Sequence, residues 1–217
     1  SETLWDIELV DVTATGSATG TPTTEDVTTN PYTLSGLSPA NDYQVYLRAD
    51  CGGGDTSGWV GPVSFTTLCS EISVFPSTTD FTLNPPTNCW SQAGTGDPST
   101  GPSSVGSSEW ISGGSYNSLP SNRVNLYNLG SAEWLISPIY DIPAIDPHEL
   151  IISVAVTAYD SSSAGTMGSD DEVQLLQTTD AGVTWTNITT WNVANQPSDL
   201  GTSFTADLTA TTGSVQF

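Results

Sequence analysis

The chain has 217 residues, with 24 acidic side chains against two arginines, no lysine, and a formal charge of −22. That balance repels nucleic acid and anionic membrane surfaces and argues against both as partners. Seven Trp, seven Tyr and regular strand alternation point to a folded core rather than the disorder such charge would otherwise imply. Self-repulsion on this scale suits salty water or bound divalent cations, which favours a marine or halophilic extracellular setting. No apolar run approaches the roughly 20 residues a membrane helix needs, so no direct membrane insertion is expected. The opening residues read neither as a signal peptide nor as a transit sequence. Three Cys, one Met and one His leave few reagents for catalysis.

The length suits two sandwich domains of modest size. Residues 1–68 hold short apolar alternations between Thr-, Gly- and Pro-rich stretches, the pattern of an all-β sandwich. From Leu4 to Val12, Leu4, Asp6, Glu8 and Val10 alternate with Trp5, Ile7 and Leu9, which predicts one mostly polar and one apolar face. Thr13 to Asn30 reads as a polar hairpin or loop, and Tyr32-Thr-Leu34 as the start of a short strand. Leu37-Ser-Pro-Ala-Asn-Asp-Tyr43 follows and leads into the alternating strand Tyr43–Asp50. Next come a glycine-rich loop, Cys51–Gly58, and a last strand over Trp59–Thr67.

Leu37, Pro39 and Tyr43 at every second position before a strand resemble the tyrosine corner of an immunoglobulin-like sandwich. There the tyrosine hydroxyl bonds to backbone a few residues upstream. With Arg48-Ala-Asp-Cys51, Asp55-Thr-Ser-Gly-Trp59 and Val63-Ser-Phe-Thr-Thr67, the segment resembles a fibronectin type III domain of the kind found in tandem in secreted Bacteroidetes proteins. The resemblance places Trp5 on strand C. It therefore implies a domain lacking strands A and B, supplied by sequence upstream, and a chain cut from something larger.

Residues 69–217 read as a second β unit. Cys69-Ser-Glu-Ile-Ser-Val-Phe-Pro76, Asp80-Phe81 and Asn88-Cys89-Trp90 open it. Glu133-Trp-Leu-Ile-Ser-Pro-Ile-Tyr-Asp141, Leu150–Val156, Asp171–Gln177 and Phe204–Phe217 supply strands. This succession resembles a MAM-type jelly roll with one or two closing strands still to come. The resemblance implies a Cys69–Cys89 disulfide, hence export to an oxidising compartment. It leaves Cys51 as the odd cysteine, expected to pair with a cysteine of the missing upstream segment. The boundary at Thr67-Leu-Cys69 is short enough to predict rigid coupling of the two domains.

Carboxylates offer the next candidates. Asp170-Asp171-Glu172 is a tight acidic run with Asp141, Asp146, Asp160 and Asp180 around it in sequence. It reads as a solvated loop, as a structural Ca²⁺ site, or as catalytic groups, and no pair stands out by spacing. Domains of the resembled family often carry Phe-Glu near their start, where this chain has Phe81-Thr82. Asp80, Asp170 and Asp171 are then the candidate Ca²⁺ ligands. Thr178-x-Asp180-x-Gly182-x-Thr184-Trp185 matches the Asp-box pattern of sialidases and other secreted β-proteins: Asp180 caps a hairpin, Gly182 allows positive φ, and Trp185 anchors the next strand. Trp90, Trp110, Tyr116, Tyr127 and Trp191 fall in or near loops and strand ends. Trp110 and Tyr116, in a Gly/Ser-rich stretch, are the candidates for stacking on sugar; Trp90 and Trp185 read as core.

The reading is a non-enzymatic, secreted or cell-surface β fragment of a modular protein, acting in adhesion, surface attachment or extracellular assembly. Its expected partners are surface glycans, other extracellular proteins or neighbouring copies. The alternative is an accessory or carbohydrate-binding region of a secreted peptidase or glycoside hydrolase whose catalytic domain lies outside the chain.

Overall fold

Strands and turns account for all the regular structure seen in the computed structural model, which describes residues 4–14, 16–116, 119–127 and 132–217, with the side chains at 114–116 and 119 outside that description. Among these residues no helix forms, and none is long and apolar enough to cross a membrane. The chain divides into two units, Ser1–Ser70 and Glu71–Phe217.

The first unit is built on β1 (Leu4–Asp11), β2 (Thr24–Val27), β3 (Asp42–Gly52), β4 (Asp55–Thr56) and β5 (Val60–Thr66). They form one antiparallel sheet in which β1 lies between β2 and β3, and β3 takes β4 and β5 on its other edge. The β1–β3 ladder runs unbroken from Leu4↔Asp50 to Asp11↔Tyr43. Between β3 and β5 the register slips, from Val45↔Val63 to Leu47↔Val60. Gly61 makes that slip possible: its φ is +138°, and a Cβ there would lie 2.7 Å from the Val45 carbonyl oxygen. Directly opposed residues share a face, so Ile7, Leu47 and Val60 lie in one row and Leu9, Val45 and Val63 in the next. Ile7, Val10, Val27, Tyr43 and Ala49 are buried, whereas Leu47, Val60 and Val63 remain exposed.

Two local expectations change here, and the hairpin-or-loop reading of Thr13–Asn30 is narrowed. The polar stretch from Thr13 to Asn30 contains a strand, β2, because its one strongly apolar residue, Val27, is buried opposite Trp5. Tyr32-Thr-Leu34 is not a strand. The loop at Cys51–Gly58 pairs internally, with Asp55 opposite Gly52.

The second unit contains β6 (Ser91–Ala93), β7 (Gly96–Asp97), β8 (Gly101–Pro102), β9 (Ile111–Tyr116), β10 (Leu119–Arg123), β11 (Trp134–Ile136), β12 (Tyr140–Ile142), β13 (Glu149–Val154), β14 (Glu172–Gln177), β15 (Thr186–Asn192), β16 (Thr202–Asp207) and β17 (Gly213–Val215). Local hairpins join β7 to β8, β9 to β10 and β14 to β15. Long-range antiparallel pairs join β6 to β11, β12 to β17 and β13 to β16. Thr178 and Gln216 exchange backbone hydrogen bonds of 2.9 and 3.0 Å, which ties the end of β14 to the end of β17. Two apolar clusters fill the unit. Ala93, Trp134, Ile136, Leu176 and Trp185 form one; Ile142, Leu208 and Val215 form the other, with Phe75, Tyr140, Leu150 and Phe217 packed against it.

Candidate functional site

The mostly polar face of β1 is not left in water. Asp6 and Glu8 are each only 3% exposed, less than Trp5 on the apolar face at 37%. A carboxylate can be buried only if its charge is met by hydrogen bonds or a counter-charge. Asp6 Oδ2 accepts from Arg48 Nε and Nη2, both at 2.9 Å, across the Asp6↔Arg48 position of the β1–β3 ladder. The Arg48 guanidinium also lies 4.7 Å from the centre of the Trp59 ring, a cation–π distance. Among the described residues Glu8 is held by hydrogen bonds rather than by a cation: the Thr19 N–H and hydroxyl and the Gly20 N–H all donate to it. Beside the ion pair is a cleft of about 380 Å³, where Glu25, Asp26 and Asp50 join Asp6 and Arg48.

Elsewhere carboxylates organise their own turns. Asp80, Asp97 and Asp207 each accept both the N–H and the hydroxyl of the residue two positions on, Thr82, Ser99 and Thr209. These bonds favour the ionised form. The Thr82 N–H and then its hydroxyl hold Asp80 below the usual carboxylate range. For Asp97 and Asp207 the hydroxyls of Ser99 and Thr209 contribute most, followed by their N–H groups. The repeated Asp-x-Ser/Thr spelling was the available sequence signal for these turns.

Asp180 is the strongest case. The Thr184 hydroxyl and N–H donate to it at 2.7 and 2.9 Å, and the Thr178 hydroxyl donates at 2.8 Å. Together, in that order of importance, they pull its carboxyl down to about 2. Gly182 turns the chain with φ +85°, and its N–H donates to Thr178 Oγ1. Trp185, 7% exposed, donates its indole N–H to the Gly182 carbonyl and packs edge-on against Trp134 at 5.5 Å. The Asp-box residues thus build a hairpin anchored in the core.

The candidate metal ligands are not gathered. Among the described residues no group of three or more His, Cys, Asp or Glu side chains is arranged to hold an ion. Asp80 is engaged in its own turn, and Asp171 accepts from the Gly168 N–H at 2.7 Å. Asp170 lies beside it with its Oδ1 also directed towards Gly168. Cys69 and Cys89 form a disulfide. Cys51 is exposed at the end of β3. Tyr43 is buried, stacks on Phe65 at 5.7 Å, and accepts a 3.0 Å hydrogen bond from the Ser38 N–H at its hydroxyl. Leu37 and Pro39 flank that donor in the sequence.

Trp110 is half-buried and engaged at both ends. Its indole N–H donates to the Glu133 carbonyl at 3.1 Å, and its own carbonyl accepts from the Asn84 amide. Asn84 in turn accepts from Gln92 and Asn122, so Trp110 belongs to a cross-linked amide network. The Tyr116 side chain lies outside the described residues. Trp191 is core, not a strand-end platform: it is 7% exposed and meets Phe204 edge-on at 5.6 Å. Trp90 is half-buried with its ring edge-on to Phe81 at 5.4 Å, and Tyr127 is exposed.

Sequence reasoning missed an aromatic pocket in the second unit. Phe75 stacks with Tyr140 at 6.4 Å, Tyr140 meets Phe217 at 5.9 Å, and His148 sets its ring edge-on to Phe75 at 5.2 Å. His148 is oriented by its Nδ1, which donates to the Asp146 carbonyl at 2.7 Å. These rings, with Glu149 and Leu208, line a cavity of about 230 Å³. Burial raises the Tyr140 hydroxyl above its ordinary pKa, so the ring stays neutral. Comparison with protein-family models, with curated proteins and with solved structures gives no match.

Proposed function

We propose that the chain is a non-enzymatic pair of β modules from a secreted or cell-surface modular protein, acting in adhesion, surface attachment or extracellular assembly. The observation that carries this reading is an all-β chain of two units with a Cys69–Cys89 disulfide. A bridge of that kind persists in oxidising surroundings. Closing a loop of about 20 residues, it would contribute roughly 3 kcal/mol. The sheet order β2-β1-β3, with β5 on the far side of β3, supports a fibronectin type III-like assignment for the first unit. Its four main strands match the sequence C′, C, F, G of one sheet of such a sandwich. The long-range pairs β12–β17 and β13–β16 support a jelly-roll reading of the second. Attachment would run through loops and be multiplied by repetition of modules. Ca²⁺ bridging acidic surfaces between modules, rather than held in a preformed site, would make that attachment divalent-dependent.

The test is retention of the purified chain on glycan and extracellular-protein arrays, in Ca²⁺ and in chelator, beside assays with generic peptide and glycoside substrates. The expected outcome is retention that falls in chelator, with no turnover. Hydrolysis by the purified chain would overturn the reading, and equal retention in chelator would remove its Ca²⁺ component.

A further inference from the structure

We infer that the aromatic pocket formed by Phe75, Tyr140, His148 and Phe217 binds a small organic cation of the quaternary-ammonium class. This goes beyond the attachment reading and does not depend on it. Size is the first constraint. Ligand pockets for drug-sized molecules run from about 300 Å³ upwards, and this one, at about 230 Å³, admits a compact headgroup rather than a large ligand.

Chemistry is the second constraint. Aromatic faces attract cations through the negative face of the ring, and aromatic enclosures select quaternary ammonium because it cannot be satisfied by hydrogen bonds. Phe75, Tyr140 and Phe217, in contact at centroid separations of 6.4 and 5.9 Å, line the cavity with three such rings, and His148 packs edge-on to Phe75 at 5.2 Å beside them.

Charge is the third constraint, and it has an independent source. Glu149 lines the pocket and sits directly opposite Asp207 on the β13–β16 ladder. Like charges in opposed positions repel across a sheet. Among the described residues the only ion pairs are Arg48–Asp6 and Arg123–Asp160, so neither Glu149 nor Asp207 is met by a cationic side chain. The Thr209 hydroxyl and N–H bond to Asp207 and fix its carboxylate at that position. A cation seated against the rings, beside Glu149, would relieve that repulsion. The chain has no lysine to do so itself.

The experiment is a titration of the full chain with choline, followed by NMR at constant ionic strength, beside its uncharged carbon isostere 3,3-dimethylbutan-1-ol. Saturable shifts centred on Phe75, Tyr140 and Phe217 are expected for choline, with the isostere about tenfold weaker. Glu149→Gln, at an exposed position, should weaken choline about three- to tenfold while leaving the spectrum otherwise native. Phe75→Leu should weaken it by a similar factor. Equal binding of the isostere, or choline shifts spread over the acidic surface without saturation, would overturn the inference. So would an affinity indifferent to Glu149→Gln, a result that remains readable even if Phe75→Leu does not fold.

Discussion

Two regions of this molecule handle negative charge in opposite ways. On β1, Asp6 and Glu8 are buried and neutralised from a distance in sequence, by Arg48 on β3 and by the Thr19–Gly20 backbone. In the second unit, Asp80, Asp97, Asp180 and Asp207 bind residues two to four positions away and sit at the surface. The difference is one of consequence. A buried carboxylate whose partner is removed is only partly rehydrated, whereas an exposed turn can rehydrate in full. The same residue type therefore carries a large share of stability in one place and a small one in the other.

The sharpest way to break the contrast is Arg48→Ala. It strands Asp6 in the interior, and losing one partner of a buried pair costs about 3 kcal/mol or more. Urea unfolding of the full chain, followed through Trp59 on the first unit and Trp185 on the second, should show the first unit losing that amount while the second keeps its midpoint. Adding Asp6→Leu should restore much of the loss, because an apolar pair needs no compensation. A single mutant as stable as the parent would show that Asp6 is satisfied by other means. Glu8→Gln comes next. The amide keeps one acceptor oxygen for Thr19 and Gly20 but exchanges charge-assisted bonds for neutral ones, an expected loss of about 1 kcal/mol. A loss as large as that of Arg48→Ala would mean that the 16–20 loop unfolds with it.

Local signals in the sequence carried far, and non-local ones did not. The Thr178–Trp185 spelling predicts a hairpin with a capping Asp180 and a positive-φ Gly182, and every bond in it lies within a few residues. The stretch ending at Tyr43 predicts a backward hydroxyl bond, and Ser38 donates that bond. Alternation along Leu4–Val10 correctly separates two faces but says nothing about which is covered. Asp6 and Glu8 are buried where the Arg48 side chain and the Thr19–Gly20 loop bond to them, and neither partner is encoded in a period of two. The aromatic pocket was illegible for the same reason. Phe75, the Tyr140–His148 stretch and Phe217 come from distant parts of the chain and converge through the Ile72–Tyr140 bridge, the β12–β17 ladder and the packing around Ile142 and Val215.

The smallest expected effect tests the exposed side of the contrast. Asp180 has its carboxyl lowered from 3.8 to about 2 by bonds from Thr184 and Thr178. A group with a depressed folded-state pKa stabilises the fold above its unfolded value, and that contribution disappears as pH falls through the folded one. The Asp180 contribution should therefore be whole above pH 3.8 and fade between there and about pH 2. Asp180→Asn keeps an acceptor for the Thr184 N–H but never carries the charge. Parent and variant should differ in urea midpoint at neutral pH, modestly because the site is open to water, and the difference should close over that acid window. Other carboxylates titrate there too, yet they are common to both proteins and cancel in the comparison. A difference that stays constant down to pH 2 would mean that the turn depends on the shape of residue 180 rather than on its charge.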